Sequence, residues 1–168
     1  MEWPPAAYSP RTHFIYSHSR YGPADLGITD SPATNTDCPS PTCTFTGTFG
    51  IPGVTWHGVY GAVDTYTGKV AWKFPVTTAP DSGVAVAGDL VFFGDSTGLF
   101  YAADAVTGHI LWTFDSKTVP NAGGATASPA IYVVDGREYV VYGFGGNPGE
   151  SPLLGDAVIA FALPQRGD

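Results

Sequence analysis

Ala102–Phe114 reads AADAVTGHILWTF, and forty residues earlier Ala62–Phe74 reads AVDTYTGKVAWKF. The two align without a gap. Asp64 and Asp104, Thr67 and Thr107, Gly68 and Gly108, Trp72 and Trp112, and Phe74 and Phe114 fall in the same slots. A fixed period of this size marks a repeat architecture. Each copy reads as strand, turn, strand. Leu99–Ala103 alternates around aromatic and apolar residues, as a half-buried strand should. Asp104–Gly108 supplies turn chemistry: the Asp carboxylate accepts from backbone N–H groups two residues on, and Gly tolerates positive φ. Ile110–Phe114 is a second strand, rich in β-formers.

Working outward, Gly83–Phe114 holds four short strands, Val84–Val86, Leu90–Gly94, Leu99–Ala103 and Ile110–Phe114, with turns at Gly88–Asp89 and Asp95–Gly98. About forty residues holding four strands is one blade of a β-propeller. The expected fold is therefore all-β, a propeller of four-stranded blades. At 168 residues the chain has room for about three to four of them. The repeated tryptophans and the phenylalanines two residues later read as core side chains, since a buried indole spans the gap between neighbouring sheets. Asp64 and Asp104 resemble a base or metal ligand in isolation. Their recurrence with Thr-Gly assigns them, with Gly68 and Gly108, to turns, because a propeller has many turns and one active site.

Toward the N-terminus, Trp3–Tyr16 reads as a strand, a Ser-Pro-Arg-Thr turn and a second strand over His13–Ser17. Residues 19–53 are Pro-, Thr-, Ser- and Gly-rich and lack apolar periodicity, so they read as a long inter-blade excursion. Trp56–Phe74 then begins the next blade. Past the repeats, Thr118–Ala127 is a link. Ser128–Val134 and Glu138–Phe144 form a hairpin turning at Asp135-Gly136. Asn147–Leu154 is a loop, and Asp156–Leu163 is the closing strand. No amphipathic helix of useful length is present. The 22 glycines and 15 prolines therefore read as turns rather than disorder.

Charge narrows the function. The net charge is −8, with 13% of residues charged and no basic stripe, so a nucleic acid is not an expected partner. No apolar run is long enough to span a membrane, and MEWPPAAYSP carries no signal-peptide pattern. No P-loop, Ser-His-Asp order or paired-carboxylate motif stands out. Of the four histidines, His13, His18 and His109 carry no motif, and His57, beside Trp56, is the one weak site candidate. Cys38 and Cys43 form CPSPTC; a zinc site would need two further ligands that are not evident.

The pattern A-x-D-x-x-T-G-x-x-x-W resembles the tryptophan-docking repeat of the pyrroloquinoline quinone (PQQ) propeller proteins. Other stretches resemble the C-terminal part of PQQ-dependent alcohol and sugar dehydrogenases: Glu2-Trp3-Pro4-Pro5 with Ala7-Tyr8-Ser9-Pro10, Ala87-Gly88-Asp89-Leu90-Val91-Phe92, the glycine loop Tyr142–Gly149, and the strand Gly155–Pro164. The resemblance covers most of the chain except roughly residues 19–53. It implies a partial PQQ-type propeller over residues 1–168, part of a usually eight-bladed ring, and Met1 directly before a family strand fits a truncated or degenerate relative. A partial ring leaves open edges, from which self-association is expected.

The resemblance also implies chemistry for a full-length parent. A metal, usually Ca²⁺, polarises a PQQ carbonyl, an Asp base takes the alcohol proton, and electrons pass to a cytochrome or quinone outside the cytoplasm. No residue here matches that base, the metal ligands or the tryptophan floor, so this chain alone is not expected to bind PQQ or turn over. What the resemblance leaves is a cofactor rim. Glu2 stands where relatives often have Asn, and Ser82-Gly83 stands where they have a turn near the PQQ carboxylates. Asp81 reads first as a turn residue and second as a rim residue. An extracytoplasmic setting favours a Cys38–Cys43 disulfide over two unpaired thiols. The expected function is the C-terminal part of a PQQ-dependent dehydrogenase acting on an alcohol-type substrate. The alternative is a cofactor-free PQQ-like propeller serving as a protein-assembly scaffold.

Overall fold

The computed structural model describes residues 4–22, 24–28, 45–49, 56–148 and 150–162, and the architecture is all-β. The first sheet orders β1 (Ala7–Ser9), β2 (Phe14–Tyr21), β5 (His57–Asp64) and β6 (Val70–Val76). The second orders β7 (Ala85–Ala87), β8 (Leu90–Gly94), β9 (Leu99–Asp104) and β10 (Ile110–Asp115). The third has three strands, β11 (Ala130–Val134), β12 (Arg137–Phe144) and β13 (Ala157–Ala162). β3 (Ala24–Ile28) and β4 (Phe45–Phe49) pair with each other, and a 3₁₀ turn covers Ser116–Thr118. All pairings are antiparallel. The propeller-blade reading of the sequence holds for two complete sheets and one short of a strand.

Two boundaries need correcting. β2 runs on through Ser19, Arg20 and Tyr21, and pairs along its whole length with β5, from Phe14↔Asp64 to Tyr21↔His57. The long excursion therefore starts later than residue 19 and connects two strands of one sheet rather than two blades. Trp56–Phe74 accordingly completes the first sheet instead of opening a new one. The alternation in SHSRY is polar on both faces, so apolar periodicity alone stops short of where the ladder stops.

Burial follows from the stacking of the sheets. Tyr16, Tyr60, Trp72, Val91, Phe93, Tyr101 and Ala103 form a core between the first and second sheets. Phe92, Phe100, Ala102, Val140, Tyr142 and Phe144 form another between the second and third. Successive residues of β8 and β9 thus point into different cores, as the period of two requires. The half-buried reading of Leu99–Ala103 is therefore corrected: LVFFG and LFYAAD are apolar without alternation because the middle sheet is covered on both faces.

The repeated turns are built alike. The Asp64 carboxylate accepts from the Tyr66 N–H at 2.8 Å and the Thr67 N–H at 3.2 Å. That of Asp104 accepts from the Thr107 hydroxyl and N–H, both at 2.8 Å, and from the Val106 N–H at 3.1 Å. These hydrogen bonds hold both carboxyls below the usual carboxylate range, the Tyr66 N–H leading at Asp64 and the Thr107 hydroxyl at Asp104. Gly68 and Gly108 sit at φ +67° and +72°.

The two tryptophans differ. Trp72 is buried, and its indole N–H donates to the Ala105 carbonyl of the next sheet at 3.1 Å. Its ring lies where a Cβ on Gly108 would project. Trp112 is 41% exposed, packed edge-on against Phe100 and Phe161 and stacked beside Phe114. The expectation of a second core tryptophan is therefore corrected. The third sheet has no fourth strand among the described residues, and so no receiving turn.

Candidate functional site

The approaches to three inner strands converge at one end of the sheets. Val84 N–H donates to the Pro5 carbonyl at 3.0 Å and Gly83 N–H to the Ala127 carbonyl at 3.2 Å, lacing the entries of β1, β7 and β11. At this seam lies a polar pocket of about 290 Å³, lined by Pro4, Pro5, Asp81, Thr126, Ala127, Ser128, Gly146 and Asn147. Pro4 and Pro5 have no N–H to offer a ladder, so they serve as wall rather than strand.

Asp81 is the charged wall of this pocket and is only 6% exposed. Its Oδ1 accepts from Arg20 Nη1 at 2.8 Å, and its Oδ2 from Asn147 Nδ2 at 3.4 Å. The same Arg20 nitrogen reaches Glu150 Oε2 at 3.5 Å, and its guanidinium lies 4.5 Å from the Trp56 ring centroid. The cluster draws on β2, the approach to β7 and the β12–β13 loop, so it forms only when all three sheets are assembled. His18, two residues before Arg20 on the same face of β2, is buried, and its Nδ1 has no hydrogen-bond partner among the described residues. Burial pushes its pKa down, with neighbouring Asp81 opposing.

Ser82 faces away from the pocket into a buried knot. Its hydroxyl accepts from the Gly94 N–H at 3.0 Å and the Tyr142 hydroxyl at 2.7 Å, and its hydrogen has the Gly83 and Ala127 carbonyls in reach at 2.8 and 3.0 Å. Tyr60 donates to the Gly94 carbonyl at 2.7 Å and accepts from the Ser82 N–H at 3.2 Å. Burial holds the Tyr60 and Tyr142 hydroxyls well above their ordinary pKa near 10. Gly83 is a place of close approach: a Cβ there would run into Ser128 Oγ and Pro5.

Of the rim residues expected from sequence, Ser82 and Gly83 thus lie beside the pocket, occupied by packing, while Glu2 falls outside the described residues, as do Cys38 and Cys43. His57 is exposed at the start of β5, its ring 5.1 Å from that of Tyr21, and it is not part of the pocket lining. The residues that build the site are Asp81, Arg20, Asn147 and Glu150. Three of them come from segments whose sequence carries only turn or loop signals. Arg20 lies in a stretch that reads as an excursion. Its one legible sign is an isolated charge beside an aromatic residue at the end of a strand.

The described residues fit a PQQ-like group in part. Asn147 Nδ2 and the Thr126 and Ser128 hydroxyls are donors suited to the edge of an anionic ring system, but the lining has no aromatic face for such a ring to rest on. Among the described residues no cluster of His, Cys, Asp and Glu is arranged to hold a metal. Asp81 and Glu150 share one arginine, leaving the cluster one formal charge negative. A complete cofactor site is not assembled by these residues, and no reaction step follows from them.

Comparison with known proteins agrees with the fold. The family described as "Outer membrane protein assembly factor BamB" (PQQ_2) matches residues 57–154. The chain is similar to the quinohemoprotein alcohol dehydrogenase of Comamonas testosteroni (TM-score 0.72, 24% identity, covering 95% of this chain and 25% of that one). It is also similar to the quinohemoprotein alcohol dehydrogenase ADHIIG of Pseudomonas putida HK5 (TM-score 0.66, 27% identity, 86% and 22%) and to a europium-containing methanol dehydrogenase (TM-score 0.64, 24% identity, 85% and 24%). No curated protein matches. The chain spans about a quarter of the length of these solved structures. With a family match over more than half its length and tryptophan-docked four-stranded sheets, the chain belongs to the PQQ_2 family of PQQ-type β-propeller repeat proteins.

Proposed function

We propose that this chain forms one wall of the cofactor site in a PQQ-dependent dehydrogenase propeller that oxidises an alcohol-type substrate. It supplies rim contacts and not the catalytic base. The observation that carries this reading is the convergence of three inner-strand entries on the polar pocket walled by Asp81, Thr126, Ser128 and Asn147. A ligand on the axis of a propeller meets one such entry from each blade, so the wall of its site is of this kind. The likeness to quinohemoprotein alcohol dehydrogenases supports the substrate class. In this reading PQQ and its metal are held mainly by blades outside this chain, electrons leave to a cytochrome or quinone, and the parent acts outside the cytoplasm.

A second reading, a cofactor-free propeller that scaffolds protein assembly, is favoured by the description attached to the matched family. One titration separates the two. PQQ with Ca²⁺ is added to the isotope-labelled chain and backbone amide shifts are followed. The dehydrogenase reading expects shifts confined to residues 81–83, 126–128 and 146–147, rising without saturation, abolished by Asn147→Ala, and no turnover of ethanol with a dye acceptor. Shifts scattered over the surface, or none, favour the scaffold. Turnover would overturn the wall-only assignment.

A further inference from the structure

We propose that His18 is a proton-operated latch on the polar pocket: when its ring gains a proton it takes the Asp81 carboxylate from Asn147 and releases the β12–β13 loop from the pocket wall. The register of the first sheet puts the parts in place. His18 and Arg20 lie two apart on one face of β2, opposite Tyr60 and Gly58 of β5. A Cβ on Gly58 would stand 2.6 Å from Pro80 Cγ, so the absent side chain is what lets Pro80 settle on this face. Asp81 follows directly, and Arg20 Nη1 donates to its Oδ1 at 2.8 Å. His18 is shut in beside them. It is 8% exposed, its ring lies 5.9 Å from that of Tyr60, and its Nδ1 is buried with no hydrogen-bond partner.

The two protonation states of His18 make different demands. In the neutral ring one nitrogen carries no hydrogen, and Nδ1 in that form asks for no acceptor. A charged ring carries N–H on both nitrogens, and a buried one must find an acceptor. Arg20 from β2 and the chain's amino group oppose the added charge, while Asp81 from the approach to β7 favours it. Tyr60 from β5 is neutral, its hydroxyl committed to the Gly94 carbonyl, and Glu150 from the β12–β13 loop is held at Arg20. Asp81 is thus the acceptor for a charged His18. Its Oδ1 is committed to Arg20, whereas its Oδ2 holds Asn147 Nδ2 at 3.4 Å, long for a hydrogen bond and the weaker of the two. Asn147 has somewhere to go, because its Nδ2 already reaches Glu150 Oε2 at 3.5 Å. It also heads a tight turn: the Glu150 and Ser151 N–H groups donate to its carbonyl at 3.1 and 2.9 Å, so a change at its side chain is felt by all three residues. Burial holds the His18 ring below the ordinary value of 6.5, so the wall is closed at neutral pH and opens in acid. That this regulates ligand binding rests on the reading of the pocket as a cofactor wall; the exchange of partners does not.

The test is therefore made without PQQ. The isotope-labelled full chain is titrated from about pH 7.5 to about pH 5, following the His18 ring, the Asn147 side-chain amide and the backbone amides of Asn147, Glu150 and Ser151 by NMR. All are expected to shift with one midpoint, below 6.5. His18→Gln keeps a polar side chain that does not titrate, and is expected to abolish the response of the loop. Should that variant not fold, Asn147→Ala tests the reciprocal effect on an exposed turn. Removing the competitor for Asp81 is expected to raise the proton affinity of His18 at least about twofold. The proposal is overturned by a His18 that stays neutral throughout, or by one that titrates while the loop does not respond. It is also overturned by a loop response that has another midpoint or survives His18→Gln, or by a proton affinity that Asn147→Ala leaves unchanged. None of these outcomes depends on whether PQQ shifts the pocket amides, so the latch and the cofactor reading can fail separately.

Discussion

Trp72 and Trp112 share a repeat slot and differ in what receives them, so their truncation should cost unequal amounts. Trp72→Ala opens a cavity between two sheets, while the Ala105 carbonyl keeps the Tyr16 hydroxyl as a donor, so the lost packing dominates and should destabilise by about 3–5 kcal/mol. Trp112→Ala removes a half-exposed ring and should cost about 1–2 kcal/mol, in proportion to the area it buries. Urea midpoints of the two variants check the order; equal losses would mean that Trp112 is docked in solution. The turn glycines give a matched pair. Both need positive φ, so an alanine at either is strained by about 1–2 kcal/mol. At Gly108 the added methyl also strikes the Trp72 ring, so Gly108→Ala should be the more damaging by at least about 1 kcal/mol in the same denaturation assay. Arg20 makes a third case: Arg20→Met leaves the nearly buried Asp81 carboxylate without this cation and should destabilise by about 3–5 kcal/mol, measured by thermal or urea unfolding.

At the scale of strands, the middle sheet should be the most protected from hydrogen exchange. β8 and β9 are paired on both edges and covered on both faces, whereas β13 has one open edge and Val158 is 74% exposed. Amides of Val91, Phe93, Tyr101 and Ala103 are expected to exchange last and the outward amides of β13 first; the reverse order, by exchange NMR, would refute the layered arrangement. The same strands show why some of the fold is legible in sequence and some is not. The repeats carry their own internal control, a second copy forty residues on, so the recurring Asp, Thr and Gly are assigned to turns by their pattern alone. The Asp135-Gly136 hairpin is equally legible, both residues adopting the positive φ its tight turn needs. Partnership at a distance is not legible. Ser19–Tyr21 offers no apolar alternation, so nothing local says that it pairs with His57–Val59 across a long insertion. Asp81, Asn147 and Glu150 sit in loops whose residues look like turn formers, and only the stacking of three sheets brings them to one arginine. Trp112 departs from expectation for the opposite reason. Its repeat slot is plain in the sequence, but burial depends on the neighbouring sheet and not on the slot.

Across the whole molecule, the knot of Ser82, Tyr60 and Tyr142 is the point where the three sheets are tied, and it makes stability depend on pH. Tyr60 comes from the first sheet, Ser82 and Gly94 from the second, and Tyr142 and Ala127 from the third and its approach. Both tyrosine hydroxyls are neutral donors here, and burial raises their pKa above the ordinary value near 10. Below that value both folded and unfolded chains hold these protons, and the knot contributes fully. Above it the unfolded chain releases them while the folded chain does not, so unfolding gains free energy with each further rise in pH. Thermal midpoints should therefore fall steeply from about pH 9 to about pH 11. Tyr142→Phe removes one of the two protons from this linkage. At neutral pH it should lower stability by about 0.5–1.5 kcal/mol, since the Ser82 hydroxyl can still donate to the Ala127 carbonyl. At alkaline pH its deficit should shrink, and it should meet or overtake the wild type. A deficit that stays constant through this range would mean that the hydroxyl ionises equally in both states, and that the three sheets are not closed over it.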